Sequence, residues 1–148
     1  MRQFITLWCL AAVVGCGGPR DKAAEEQPVT PTISLADVAG TWTMHAMNAA
    51  GDSTLVTAQM VATAGTDGWL FNFTGRDPVP VRVIAVDGDS IVTEMGPYPS
   101  ALRENVSVTT RSVLRLQNAE LVGTFAAHYA TSAADSVLMG RMHGVRAP

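Results

Sequence analysis

From about residue 40 to the C-terminus, short runs of β-branched and aromatic residues alternate with clusters of turn-forming residues. This part of the chain carries no apolar stripe with helical spacing, so the pattern predicts β-strands. We expect eight strands, at residues 41–48, 54–63, 69–74, 79–86, 90–96, 105–116, 120–129 and 136–146. Before them, residues 34–39 predict one turn of helix, with Ser34 as its cap and Asp37 at the third helical position.

The connections between the predicted strands are mostly short enough to join antiparallel neighbours. Eight strands linked in this way either close into a barrel or leave two exposed edges, and closure removes both edges. We therefore predict an all-β fold for residues 34–148, an antiparallel up-and-down barrel of eight strands. The chain has 148 residues, which fits one such domain after an N-terminal leader.

Alternation of apolar and polar residues predicts which strand faces line the barrel. Placing Leu116 opposite Leu121 directs the apolar residues of strands six and seven inward. Carrying the alternation to the last strand and closing the barrel sets Arg146 opposite Trp42. We also predict a bulge near the first hairpin, because a plain two-residue turn would point the apolar set of strand two outward. That set is Val56, Ala58, Met60 and Ala62.

The two ends of this barrel resemble those of the lipocalin and fatty-acid-binding-protein group. The first strand starts with Gly40-Thr41-Trp42 and the last ends near Arg146, similar to the lipocalin pattern in which an arginine covers a tryptophan. The resemblance implies that Trp42 and Arg146 plug one end, with a cation over an indole face. The chain departs from lipocalins in lacking their Thr-Asp-Tyr between strands six and seven and a long helix after the last strand.

A barrel of this size is either filled by side chains or holds one small ligand. The side chains predicted to form an apolar lining are Met44, Met60, Phe71, Phe73, Phe125, Tyr129 and Met142. Glycines 123, 140 and 144 on the same face either leave room for a ligand or relieve crowding where the sheet coils. Two functions therefore stay open, a carrier of a small apolar molecule and an interaction module of the cell envelope with a packed core.

The N-terminus predicts export and lipid anchoring. Residues 1–15 combine an early arginine with an apolar stretch too short to span a bilayer, which is typical of a signal peptide. Val13-Val14-Gly15-Cys16 resembles the bacterial lipobox, which implies cleavage before Cys16 and lipidation of its thiol. Residues 16–33 are rich in proline, glycine and charge and predict a flexible tether. Because Gly17 follows the cysteine, we expect the outer membrane rather than the inner one.

Composition and motifs exclude several other functions. The 13 acidic residues exceed the 10 basic ones, so we predict no nucleic-acid partner. Neither a catalytic motif nor a cysteine outside the leader region is present, so we predict no enzyme activity and no cofactor. His45 and His143 face each other on the outer surface as candidate copper ligands. Two exposed histidines on a sheet surface explain the pattern better, so we predict no metal.

Two turn-rich segments receive structural predictions. Asp87-Gly88-Asp89 has the spacing of some calcium loops, but Asp-Gly is also a strong hairpin turn, and no further acidic ligands follow. We therefore predict a turn there. Tyr98, between Pro97 and Pro99, is placed in the longest loop, which is where we expect a lid or a partner site.

Overall fold

The computed structural model describes residues 32–148. Within these residues the chain forms one short helix, α1 (Leu35–Val38), and eight strands. The strands are β1 (Gly40–Met47), β2 (Thr54–Ala62), β3 (Trp69–Phe73), β4 (Val79–Asp87), β5 (Ser90–Pro99), β6 (Ser107–Gln117), β7 (Glu120–Tyr129) and β8 (Val137–Arg146).

Each strand pairs antiparallel with the next one in sequence, and β8 pairs with β1 to close the barrel. The predicted all-β, eight-stranded up-and-down barrel is confirmed. The predicted registers are also observed, with Leu116 opposite Leu121 between β6 and β7, and Arg146 opposite Trp42 between β8 and β1. Alternation of apolar and polar residues determined both registers, because a slip by one residue would turn the apolar set to solvent.

The bulge predicted near the first hairpin lies where β1 ends and β2 begins. The register runs evenly up to Ala46 opposite Val56 and then shifts, so that Met47 lies opposite Thr54. Leu55 is the additional residue on β2. This shift allows Ala58, Met60 and Ala62 to point into the barrel, where all three are buried.

The prediction of a loop around Tyr98 was wrong. β5 continues to Pro99, with Tyr98 opposite Val108 after an irregularity that follows Met95. Gly96 adopts a φ of 115° within this irregularity, a conformation open to glycine. Proline is tolerated at bulges and strand ends because no ladder hydrogen bond from its nitrogen is needed there. A proline-rich run was therefore compatible with a strand, and the connection to β6 begins only at Ser100.

The barrel has a capped end and an open end. Ser34 accepts a hydrogen bond from the Ala36 amide, and the Asp37 carboxylate accepts one from the Ser34 amide, which gives α1 the predicted capping box. The Ile33 amide donates to the Gly88 carbonyl at 2.8 Å, beside the turn between β4 and β5. The chain therefore enters the barrel at the end that α1 covers, and we call the opposite end the mouth.

The core lies inside the barrel and is formed within residues 32–148. Trp42, Met44 and Leu121 are completely buried, and Trp69 and Ile91 are almost so. Residues 32–148 thus bury a hydrophobic core of their own, as a domain does. The short helix α1 does not reach the length of a membrane span, and the described residues hold no other helix.

Candidate functional site

The capped end is closed by contacts between both ends of the barrel sequence. The guanidinium carbon of Arg146 lies 4.4 Å from the centroid of the Trp42 ring. Its two terminal nitrogens donate to the carbonyls of Ala39, at 2.9 Å, and Asp37, at 2.6 Å. The Trp42 indole donates to the Val38 carbonyl at 2.8 Å, and this bond joins α1 to the core. These bonds satisfy backbone carbonyls at the end of a short helix.

Steric crowding explains why the Gly-x-Trp sequence begins with glycine. Gly40 has a φ of 133°, and a Cβ there would come within 2.8 Å of an Arg146 nitrogen. A larger residue would therefore be strained and would push the guanidinium away from its carbonyl partners. The capped end is therefore closed by three residues that depend on each other, Gly40, Trp42 and Arg146.

The inward-facing glycines relieve crowding. A Cβ on Gly123 would overlap the Val113 carbonyl, because β6 and β7 approach closely there. A Cβ on Gly140 would overlap the Met47 carbonyl, and one on Gly144 would overlap the Met44 sulfur. Neighbouring atoms thus occupy the space that these side chains would need. Of the two interpretations that the sequence allowed for the glycines, the structure favours close packing over room for a ligand.

A partly enclosed space lies under the mouth of the barrel and measures about 50 Å³. Its walls are mainly apolar, and Phe71, Phe73, Phe125, Tyr129, Leu138 and Met142 are among the lining residues. A second void, deeper in the barrel and lined in part by Met60, measures about 10 Å³. Pockets that enclose a small-molecule ligand have volumes of roughly 300 Å³ or more. The interior therefore leaves room for only a small chemical group.

The structure divides the predicted lining residues into three groups. Five of them, Phe71, Phe73, Phe125, Tyr129 and Met142, line the space under the mouth. Met60 borders the deeper void, whereas Met44 packs in the filled half near Gly144 and borders neither space. Period-two alternation could identify inward residues, but it could not distinguish the filled half of the barrel from the half below the mouth.

Tyr98 is the main lining residue that the sequence did not place in the barrel wall. Its ring stacks on Phe73 with centroids 5.5 Å apart. Its hydroxyl forms a hydrogen bond of 2.9 Å with Thr110 Oγ1, a group that is itself buried. Burial of the ring raises the pKa of Tyr98 above the ordinary value near 10. A neutral pair of hydroxyl groups therefore lies in a mainly apolar wall.

The connection between β5 and β6, residues 100–106, borders the mouth, and we call it the strap. Ala101 and Leu102 of the strap line the space beneath. Arg103 donates to the backbone and side chain of Asp135 on the β7–β8 connection, both at 2.9 Å, and its guanidinium lies 4.0 Å from the Tyr129 ring centroid. These contacts hold the strap across the mouth.

An open groove lies beside the mouth, between the β3–β4 turn and the end of β5. It measures about 730 Å³, and Phe73 and Tyr98 line both this groove and the enclosed space. Arg76 closes one side of it by donating to the carbonyls of Pro99, at 3.0 Å, and Ser100, at 2.9 Å. The stacked pair of Phe73 and Tyr98 therefore separates the barrel interior from a larger external surface.

The two outer histidines lie side by side on β1 and β8, in the predicted pairing. Their rings are 6.4 Å apart and nearly parallel. His45 contacts the Thr57 hydroxyl and His143 contacts the Glu120 carboxylate, each at 3.1 Å. No group of three or more histidine, cysteine or acidic side chains suited to a metal occurs within residues 32–148.

The predicted signal peptide, the lipobox cysteine Cys16 and nearly all of the tether lie outside the described residues. Family models, curated proteins and solved structures give no match to this chain. The class of this protein is therefore defined by its fold alone. That fold is a closed, antiparallel, eight-stranded up-and-down barrel with one capped end. This architecture is consistent with a lipocalin-like barrel.

Proposed function

We propose that this protein is an exported, lipid-anchored, lipocalin-like barrel that binds a small apolar molecule at its mouth. The observation that carries the proposal is that the apolar space under the mouth and the external groove are neighbours, with Phe73 and Tyr98 lining both. We propose a binding protein rather than an enzyme, with no bound cofactor.

The enclosed volume determines how such a molecule binds. A space of about 50 Å³ accepts a methyl group or the tip of an aliphatic chain, not a whole carrier ligand. The remainder of the molecule lies in the groove against the faces of Phe73 and Tyr98. Lipocalin-like binding in this protein is therefore insertion of one end of the ligand, with most of the ligand outside the barrel.

The proposed lipid anchor and the mouth lie toward opposite ends of the barrel. Lipid on Cys16 would hold the protein at a membrane, with the outer membrane as the proposed location, and residues 16–33 would act as the tether. The tether joins the barrel at the capped end, near Gly88. The mouth lies at the opposite end of the barrel, which favours access from the aqueous side of the membrane.

A second candidate function is an envelope interaction module with no small ligand. The filled core favours it, because neighbouring atoms occupy the space beside the inward glycines, and the two spaces described inside the barrel measure about 50 and 10 Å³. In this case the groove and the strap would contact an envelope protein.

Mass spectrometry of the purified protein tests the two candidates. The chain from residue 17, produced without lipid in a bacterial host, is extracted with organic solvent, and the extract is compared with that of an Ala127→Leu variant. Ala127 lines the enclosed space, so leucine would fill it. We expect a co-purifying apolar compound that the variant lacks. An identical extract from both proteins would contradict ligand binding at the mouth and favour the interaction module.

A further inference from the structure

One stretch of strand in the barrel has a neighbour on only one side. β3 and β4 pair only where Trp69–Phe71 lie opposite Val79–Val81. Beyond Val81, β4 continues to Asp87 and, among the described strands, pairs only with β5. Within residues 32–148 no strand pairs with the other backbone edge of residues 82–87, and an open edge is a template for an additional strand.

This edge is both accessible and apolar. Ile84 and Val86, two large aliphatic residues of this segment, are 43% and 41% exposed. A cleft of about 500 Å³ separates Arg82–Ile84 from the turn at residues 66–68, so the space beside β4 is open. The edge thus offers room and apolar surface to a partner strand.

The two ends of the edge carry opposite charges, Arg82 at the start and Asp87 at the end. Arg82 forms an ion pair with Glu94 on β5, but a guanidinium has five donors and can hold a second carboxylate. Within residues 32–148, Asp87 forms no ion pair. A strand of the same sequence running in the opposite direction would bring a carboxylate to Arg82 and a guanidinium to Asp87.

The bulge in β4 makes such pairing consistent with the direction of the side chains. Residues five positions apart in a regular strand point to opposite faces. Here the extra residue Ile84 shifts the register, so that Arg82 lies opposite Glu94 and Asp87 lies opposite Ser90, both on the outer face. Val83 and Val86 lie opposite Thr93 and Ile91, which are buried inside the barrel.

We propose that residues 82–87 of β4 pair antiparallel with the same segment of a second copy of this chain, with Arg82 opposite Asp87. The same register sets Val83 opposite Val86 and Ile84 opposite Ala85. The two-fold symmetry of such a contact makes the Arg82–Asp87 pair occur twice. Residues directly opposite each other share a face, and every pair in this register satisfies that condition. A slip by one residue removes both charge pairs.

Two charge-reversal variants test this dimer in the chain from residue 17, by analytical ultracentrifugation over a concentration series. Arg82→Asp places two carboxylates opposite each other, and Asp87→Arg places two guanidinium groups opposite each other. We expect the wild type to dimerise, and each variant alone to dimerise at least about tenfold more weakly. An equimolar mixture of the two variants restores opposite charges at both positions. It should therefore form a heterodimer over the same concentration range in which the wild type dimerises.

The controls make each outcome decisive. Far-ultraviolet circular dichroism checks that both variants keep the barrel. If one of them does not fold, Ile84→Lys replaces it, because this variant changes the paired edge while Arg82 and Asp87 keep their charges. Met139→Lys on the outer face of β8, where the side chain is 65% exposed, should leave dimerisation unchanged. A monomeric wild type would overturn the proposal, even if the edge binds an extended segment of another protein. A dimer that is equally strong in all variants would overturn it as well.

Discussion

The guanidinium of Arg146 lies over the indole of Trp42, with its central carbon 4.4 Å from the ring centroid. The two residues are 104 positions apart in the 148-residue chain, yet β1 and β8 place them directly opposite each other. The same guanidinium donates to two carbonyls at the end of α1. One side chain therefore links the first strand, the last strand and the helix that covers the barrel.

Replacing this arginine should destabilise the barrel. Arg146→Met keeps the apolar stem but removes the cation over Trp42 and both bonds to carbonyls. We expect a loss of about 2 kcal/mol in the free energy of unfolding, since exposure to solvent weakens each contact. Arg141→Met is the matched control on the same strand, because Arg141 donates to one carbonyl, that of Ala49. Urea unfolding measures both, and equal losses would contradict a special role for Arg146.

The inward glycines predict a second difference in stability. Gly123→Ala places a methyl group against the Val113 carbonyl, and the backbone of β6 must move to accept it. We expect a loss of more than about 2 kcal/mol, as in overpacked cores. Gly65→Ala is the control, since nothing lies within 4 Å of a Cβ at that position. If thermal unfolding shows that Gly123→Ala is as stable as the wild type, the close packing of β6 and β7 is wrong.

The fold could be predicted from the sequence largely because period-two alternation is a local signal. It placed Leu116 opposite Leu121 and, through closure, Arg146 opposite Trp42. Volume is not a local signal. Whether Gly144 leaves a cavity depends on where Met44, on another strand, places its sulfur. The Tyr98 segment was missed because prolines predict a loop unless the strand has a bulge, and the bulge follows from the pairing with β6.

Tyr98 gives the protein a dependence of stability on alkaline pH. Burial raises the pKa of this side chain above its unfolded value near 10, so its contribution to stability is fully present below about pH 10. That contribution is lost as the pH rises through the folded pKa. The chain has two tyrosines, so Tyr129→Phe leaves Tyr98 as the only phenol. We expect the phenolate absorbance of that variant to have its midpoint above pH 10, and a midpoint at or below pH 10 would contradict the buried site.

The anchor proposal predicts which cysteine carries lipid. Cells that produce the full chain are labelled with an alkyne analogue of palmitate, and the protein is recovered from the membrane fraction. We expect Cys16→Ser to abolish both the label and the membrane association, because the thiol of Cys16 accepts the lipid. Cys9→Ser is the control, since Cys9 lies within the apolar run. Labelling that persists in Cys16→Ser would show that the lipobox interpretation is wrong.

Binding of an apolar fluorescent probe at the mouth tests the central claim most directly. The chain from residue 17 is titrated with N-phenyl-1-naphthylamine, beside the Ala127→Leu variant and a control, Ala126→Leu. Ala127 lines the enclosed space, whereas Ala126 lies opposite Met139 on the outer face. We predict saturable binding to one site in the wild type and in Ala126→Leu, and at least about tenfold weaker binding in Ala127→Leu. No saturable binding, or equal binding by all three proteins, would contradict a ligand site at the mouth.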